Sequence, residues 1–304
     1  LVAWAVPLSY AMLVVWMVVA GLGIAKAPLT EYHPSKKMAF IMIPIAIVFA
    51  FNVGITMKKT QAFALFGKAQ TLPQTEDAMP LLQKAVATYV FDGFYRAQVE
   101  YAITTNRGLV ASSTLEQEAL KTQYLQTAQV AVDAGLAAVK TNPDNYQNYV
   151  SLGRAYELAI PFDKEGGYDR AKKAYEQAIT LYPQNPYLYV TLARLEASAG
   201  TKEGVRAQLT EALKKKQNFA DALYLMSQLE ASEQKMDEAL AYAVEAVKNA
   251  PEDPLVYTQA GLLYYGKKDY ENAVTALNTG LQKDPNNANI AYFLALSLRD
   301  GGRP

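Results

Sequence analysis

Charged side chains are absent from two long stretches at the front of the chain. Leu1–Ala25 contains no charged residue, and neither does Met38–Met57, which follows a short polar link. With a rise of about 1.5 Å per residue, helices of these lengths span about 37 and 30 Å, enough to cross a bilayer core of about 30 Å. The pattern therefore predicts a helical hairpin of two long hydrophobic helices in residues 1–59.

After these two stretches, hydrophobic residues recur every three to four positions among polar ones, which is the period of an amphipathic helix. Thr60–Pro73 continues the second hydrophobic helix as an amphipathic one. Met79–Ile103 predicts a further helix, residues 106–113 a loop, and residues 114–140 another helix. Together these segments predict a helical region over residues 60–142 that contains one divergent helix pair.

From residue 143 onward the pattern repeats at a fixed interval. Pro251 and Pro285 are separated by one period of about 34 residues, which indicates a repeat architecture. Pro183 and Pro251 are separated by two periods, and Gln217 stands at the midpoint. Pro143 precedes Pro183 by one period and a short insertion. We place this insertion within residues 160–167, whose Pro and Gly residues predict a loop.

Residues of similar size recur at the same positions relative to the proline. Large side chains begin each unit, and small residues stand twelve and five positions before the proline. Small residues let two helices approach closely, and no unit can bury its apolar face alone, so the units must stack. The large column is Tyr149, Tyr189, Leu223 and Tyr257; the small columns are Ala131, Ala171, Val205, Ala239 and Ala273, and Ala138, Ala178, Ala212, Ala246 and Gly280.

These columns resemble the tetratricopeptide repeat (TPR), a helix-turn-helix unit of about 34 residues. The resemblance is strongest over Tyr149–Pro183 and Tyr257–Pro285. In the two middle units Glu196 and Glu230 replace the usual Tyr. The resemblance implies an all-α helical solenoid of about four to five repeats over residues 143–304, closed by a capping helix at 289–299.

Composition excludes several classes of function. Formal net charge is zero and no basic stripe carries interleaved aromatics, so nucleic-acid binding is not indicated. The chain has no Cys and a single His, His33, and it lacks a Gly-rich phosphate loop. We therefore predict no catalytic residues, no cofactor and no metal site, and hence a protein that is not an enzyme.

The TPR resemblance also implies a concave groove lined by the first helix of each repeat. The surface is a mixture of Tyr, Arg and aliphatic side chains, without the Lys and Asn pattern of carboxylate-clamp members. Exposed Tyr and Arg are frequent in protein interfaces. The predicted groove residues are Arg154, Tyr187, Arg194, Tyr224, Gln228, Leu262, Tyr265, Tyr292 and Arg299.

The leading hypothesis is a non-enzymatic, membrane-anchored scaffold that binds protein partners, with residues 1–57 in the lipid bilayer. Lys26, Lys36 and Lys37 in the link favour a cytoplasmic link and therefore extracytoplasmic repeats. One alternative is an extracellular filament of self-assembled copies with the hydrophobic helices in its core. Another is the C-terminal part of a bacterial O-antigen ligase-like or polymerase-like membrane enzyme, which the two spans followed by repeats resemble and which would be inactive alone.

Overall fold

The computed structural model describes residues 36–72, 77–112 and 116–302, and within these ranges it contains thirteen α-helices and no strand. The first predicted hydrophobic helix and most of the polar link lie outside the described residues. The helices are α1 (Lys36–Thr71), α2 (Met79–Thr88), α3 (Asp92–Ser112), α4 (Gln117–Thr141), α5 (Tyr146–Glu157), α6 (Lys164–Leu181), α7 (Pro186–Ala199), α8 (Lys202–Lys215), α9 (Ala220–Ser232), α10 (Met236–Asn249), α11 (Pro254–Gly266), α12 (Tyr270–Lys283) and α13 (Ala288–Asp300).

The chain divides into two compact units, Leu1–Val90 and Phe91–Pro304. In the first unit, α1 packs against α2. Ala62 and Ala69 are buried in the C-terminal half of α1, as are Leu82 and Ala85 in α2. The predicted continuation of the second hydrophobic helix past residue 59 agrees with α1, which runs without a break to Thr71.

Between Ile43 and Met57, α1 carries most of its large apolar side chains uncovered. Among the described residues, Ile43–Thr71 is the one helical stretch long and apolar enough to cross a membrane. A helix that is hydrophobic on all sides normally lies inside a large protein or a bilayer. The exposed side chains, each between 37% and 68% accessible, are Ile43, Ile45, Ile47, Val48, Phe51, Val53, Ile55 and Met57.

The second unit is a solenoid of antiparallel helix pairs: α3 with α4, α5 with α6, α7 with α8, α9 with α10, and α11 with α12, followed by α13. All ten residues of the two small-residue columns are buried. Gly153 and Gly261, outside these columns on first helices, are also in close contact with the paired helix, because an added Cβ would overlap the Tyr175 ring and the Leu277 side chain, respectively. Small residues therefore stand where the paired helices meet.

The residues around each proline of the repeat end the second helix of one unit and cap the first helix of the following unit. Two positions after each proline, an Asn or Asp side chain accepts a hydrogen bond from a backbone N–H of the first turn. In the unit where Gln217 replaces the proline, the capping position holds Phe219, which makes no side-chain cap. The capping residues are Asn145, Asn185, Asp253 and Asn287.

The predictions for residues 79–113 were wrong in two places. The expected single helix Met79–Ile103 is broken at residues 89–91, and the expected loop at 106–113 is helical as far as Ser112. Asp92 begins α3 as a buried residue that accepts hydrogen bonds from the following repeat. Asn106, which favours a loop by composition, is instead buried and donates from Nδ2 to the Tyr124 carbonyl of α4 at 3.2 Å.

The predicted insertion loop is also shorter than expected. Residues 158–163 form a turn, but Gly166 and Gly167 lie in the first turn of α6. Asp163 caps this helix by accepting a hydrogen bond from the Gly166 N–H at 3.1 Å. A Cβ at Gly166 would overlap the Asp163 carboxylate, and one at Gly167 would lie 2.9 Å from the Ile160 nitrogen. Glycine is therefore needed at these two positions because neighbouring atoms lie too close to leave room for a side chain.

The two Glu residues in the Tyr column link neighbouring repeats. Glu196 of α7 is 4% exposed and bonds Lys172 of α6, with 2.8 Å between Nζ and Oε1. Glu230 of α9 is equally buried and pairs with Arg206 of α8. Lys172 and Arg206 are one period apart, as are the two Glu residues. One repeat later the same positions hold Leu240 and Tyr264, which pack in an apolar cluster.

Candidate protein-binding groove

All nine predicted groove residues lie on first helices of the solenoid, namely α5, α7, α9, α11 and α13. Their accessibility differs. Tyr187, Arg194, Gln228, Tyr292 and Arg299 are exposed. The half-buried residues are Arg154, Tyr224, Leu262 and Tyr265.

The structure brings three of these residues together on α7 and α9. Gln228 donates from Nε2 to the Tyr224 hydroxyl at 2.8 Å. Burial raises the pKa of Tyr224, the negative charge of Asp253 adds to this rise, and the positive charge of Arg194 opposes it. Tyr224 therefore lies within electrostatic range of both Arg194 and the N-cap of α11, at the centre of the array.

Arg194 and Gln228 also line one cleft of about 260 Å³ between α7, the start of α8 and α9, which we call the α7–α9 cleft. Lys202 lies on it as well and donates from Nζ to the Ser232 carbonyl at 3.3 Å. The sequence pattern missed Lys202 because the family resemblance assigns groove positions only on first helices. The remaining lining residues, mostly apolar, are Ala193, Ala197, Gly200, Val205, Leu225, Leu229 and Ser232.

At the C-terminal end, two predicted groove residues are engaged with a third that the sequence did not single out. The Tyr265 hydroxyl donates to Asp300 Oδ2 at 2.7 Å, and Arg299 Nε donates to Asp300 Oδ1 at 2.7 Å. These two hydrogen bonds lower the pKa of Asp300, that from Arg299 most. Tyr292 is 59% exposed and stacks edge-on with Phe293, their ring centroids 5.3 Å apart.

At the N-terminal end, Arg154 makes an ion pair with Glu100 of α3. Its guanidinium therefore connects two first helices of the array. Tyr187, at the start of α7, is half exposed and presents its ring to solvent. Thus the predicted set falls into a central cluster with an open cleft and two outer groups that are partly neutralised by the chain's own carboxylates.

The part of the chain that the structure describes contains no candidate metal site. Within residues 36–72, 77–112 and 116–302, no group of three or more His, Cys, Asp or Glu side chains is placed to hold a metal ion.

Comparison with protein families finds the tetratricopeptide repeat in three segments. One family model matches residues 164–229, and a second matches residues 206–254 and 258–304. These segments cover α6 to α13 and agree with the period of the proline column. No curated protein sequence matches the chain. The sequence resemblance to O-antigen ligase-like proteins stays a prediction.

Solved structures similar to this chain include yeast Tom70, at a TM-score of 0.57 and 16% identity, covering 82% of this chain and 48% of Tom70. YrrB, described as a TPR protein with an unusual peptide-binding site, matches 69% of this chain at 16% identity, with 96% of its own length covered and a TM-score of 0.40. MamA matches 63% of this chain at 19% identity, with 94% of its own length covered and a TM-score of 0.41. The chain therefore contains tetratricopeptide repeats, arranged as an all-α solenoid.

Proposed function

We propose that this protein is a membrane-anchored, non-enzymatic scaffold whose repeat groove binds a protein partner. Tetratricopeptide repeats are typically protein-binding modules without catalytic activity. The observation that carries the proposal is the α7–α9 cleft, where Arg194 and Gln228 stand exposed beside apolar walls. Arg is enriched in interface hot spots, which cluster in well-packed pockets.

The groove is tested by combining Arg194→Ala with Tyr224→Ala. We expect a loss of at least about 2 kcal/mol in partner binding, roughly 30-fold, because both side chains belong to the central cluster. The measurement is quantitative mass spectrometry of proteins that co-purify with the full chain after cross-linking. The matched control combines Met236→Ala with Lys248→Ala on the outer helix α10, where both side chains are exposed. Equal recovery of partners with the groove and control variants would contradict the groove assignment.

Lipid is the environment that best fits the N-terminal half of α1. Eight apolar side chains between Ile43 and Met57 are uncovered on all sides of the helix, and Lys58 and Lys59 follow directly. A Lys pair at the end of an apolar run is typical of the boundary between bilayer core and headgroups. We propose that the repeats lie on the extracytoplasmic side, as the Lys residues of the preceding link favour.

Anchoring is tested by placing two charges in the apolar half of α1. Each Lys near the bilayer centre costs about 2.5–3.5 kcal/mol, so Val48→Lys with Phe51→Lys is expected to expel α1 from the lipid even if residues 1–25 still hold the chain. Val48→Leu with Phe51→Leu preserves hydrophobicity and should leave α1 in the lipid. The chain has no Cys, so Ala46→Cys adds a single thiol whose labelling by a water-soluble maleimide in liposomes measures both variants. Equal labelling of the charged and apolar variants would speak against a lipid-embedded α1.

The same exposed helix favours a second candidate, a filament in which the apolar halves of α1 from many copies form the core. Burying these side chains against copies removes the same apolar surface from water as lipid does. Electron microscopy of detergent-free material separates the two. Ordered filaments support the second candidate, whereas membrane patches or particles that appear only in detergent support the anchored scaffold.

A further inference from the structure

We propose that the α7–α9 cleft receives an acidic side chain of the partner, Asp or Glu, together with an adjacent aliphatic side chain. This inference rests on the proposed function, since it names the chemistry of the segment that the groove binds.

Arg194 stands at a repeat position that also holds an Arg in an earlier unit, and there the Arg is paired with a carboxylate. One period and the insertion earlier, Arg154 stands at the equivalent position and pairs with Glu100. Arg194 has no carboxylate within salt-bridge distance among the described residues, and neither does Lys202 across the cleft. The solenoid thus supplies an internal anion for one Arg of this column and leaves the other open to a partner.

No acidic side chain of the described residues lines the cleft. The carboxylate that acts on Tyr224, Asp253, is already engaged as the N-cap of α11, where it accepts from the Leu255 N–H at 2.9 Å. A guanidinium binds a carboxylate through two parallel hydrogen bonds, which makes Arg better suited than Lys to hold one carboxylate in a fixed orientation. Arg194 is therefore the expected primary contact, with Lys202 as a second positive charge.

The size of the cleft and its apolar walls indicate which side chain accompanies the acidic one. A volume of about 260 Å³ lies just below the usual range of small-molecule sites, about 300–1,000 Å³, and suits one or two side chains. Ala197, Val205 and Leu229 form an apolar wall beside the two cations. An aliphatic side chain next to the acidic one buries against this wall while the carboxylate reaches Arg194.

The test titrates two neutral-ended dipeptides, N-acetyl-Leu-Glu-amide and N-acetyl-Leu-Gln-amide, into the isotopically labelled full chain in nanodiscs. Backbone amide shifts of Ala197, Gly200 and Lys202 report binding. We expect saturable shifts at millimolar Leu-Glu and at least fivefold weaker binding of Leu-Gln. Arg194→Gln should abolish this preference. Arg170→Gln should keep it, because Arg170 is an exposed residue of α6 that pairs with Asp163, the N-cap of the same helix.

Each contrary outcome has its own meaning. Equal binding of the two dipeptides, or a preference that survives Arg194→Gln, overturns the acidic specificity while leaving the groove as a peptide-binding surface. Absence of saturable shifts with either dipeptide overturns the cleft as the place where the side chains enter. In that case the partner-recovery experiment with the Arg194 and Tyr224 variant decides separately whether the groove binds a protein at all.

Discussion

Replacing Asp92 by Ala is expected to destabilise the first helix pair of the solenoid, α3 and α4, by about 3–5 kcal/mol, the cost of removing one partner from a buried, hydrogen-bonded charge network. Asp92 is 4% exposed, although it directly follows the break between α2 and α3. The size of the effect follows from the number of groups that lose their only charged acceptor.

Four side chains converge on one oxygen of Asp92. Oδ2 accepts from Arg96 at 3.0 Å, Asn145 at 2.8 Å, Asn148 at 3.1 Å and Asn142 at 3.3 Å. Asn148 is fully buried, and its amide also donates to the Ala138 carbonyl at 3.0 Å. The network therefore ties the start of α3 to the turn between α4 and α5, and its loss leaves buried amide donors without an anion.

Hydrogen exchange measures this effect locally, because repeat arrays lose structure pair by pair from their ends. In Asp92→Ala we expect protection of α3 and α4 amides to fall by about 150- to 4,000-fold, with α11 to α13 unchanged. Asp133→Ala on the exposed face of α4 should change protection by less than about 0.5 kcal/mol. Similar protection in the Asp92 variant and the parent would show that the network contributes no net stability.

The same carboxylate gives the array a defined acid sensitivity. Burial alone would raise the pKa of Asp92, but the hydrogen bonds from Asn145, Asn148 and Arg96 outweigh it and hold the pKa below its usual value. A lowered folded-state pKa contributes stability above the unfolded value of about 4, and this contribution is lost as pH falls through the folded value. Asp92→Asn should remove that part of the acid dependence of α3 and α4 protection.

The repeat architecture was predictable because every unit packs its two helices with the same residue types at the same positions. The proline column, the Asn or Asp caps and the small residues such as Gly153 all act within a single period, so one sequence shows them several times. The Asp92 network was not predictable in this way. Its three Asn partners lie 50 to 56 residues away, and their pairing depends on the path of the chain between α3 and α5.

The sequence could predict which face of the first helices forms the groove, but not which of its charged side chains are paired. Register places Arg154, Arg194 and Gln228 in one column, but the sequence does not say which cation meets a carboxylate. Arg154 meets Glu100 because α3 lies beside α5, and Arg299 meets its neighbour Asp300. The misplaced loop at 106–113 has the same origin. Asn106 favours a turn locally, while packing against α4 keeps α3 helical to Ser112.

Replacing the pair Arg206 and Glu230 is the second change with a large expected effect, because apolar side chains at the equivalent positions of the next repeat pack against one apolar cluster. Arg206 donates from Nη2 to Glu230 at 3.3 Å and to Glu233 at 3.0 Å, while Lys235 Nζ lies 3.5 Å from Glu230 Oε2. At the equivalent positions one repeat later stand Leu240 and Tyr264.

Arg206→Leu alone is expected to cost about 2–4 kcal/mol, because it leaves a buried carboxylate facing only the more distant Lys235. Glu230→Tyr alone should cost about 1–2 kcal/mol, since Arg206 is one-third exposed and keeps Glu233. The double variant places the residue types of Leu240 and Tyr264 at these positions and should come within about 1 kcal/mol of the parent or exceed it. Hydrogen exchange of α8 and α9 amides measures all three, with the exposed Lys214→Leu on α8 as the control.

Acid separates the two versions of the contact. The Arg206 hydrogen bond is the main cause that lowers the pKa of Glu230, so the ion pair stabilises the array above the usual Glu range and this contribution is lost as pH falls below it. The double variant has no carboxylate at position 230 and should lose less protection in α8 and α9 between about pH 5 and pH 3. If both singles and the double were equally costly, the pocket around Glu230 would be shaped for an ion pair. Recovery in the double would instead show that the repeats accept either contact, with the charge setting only the response to acid.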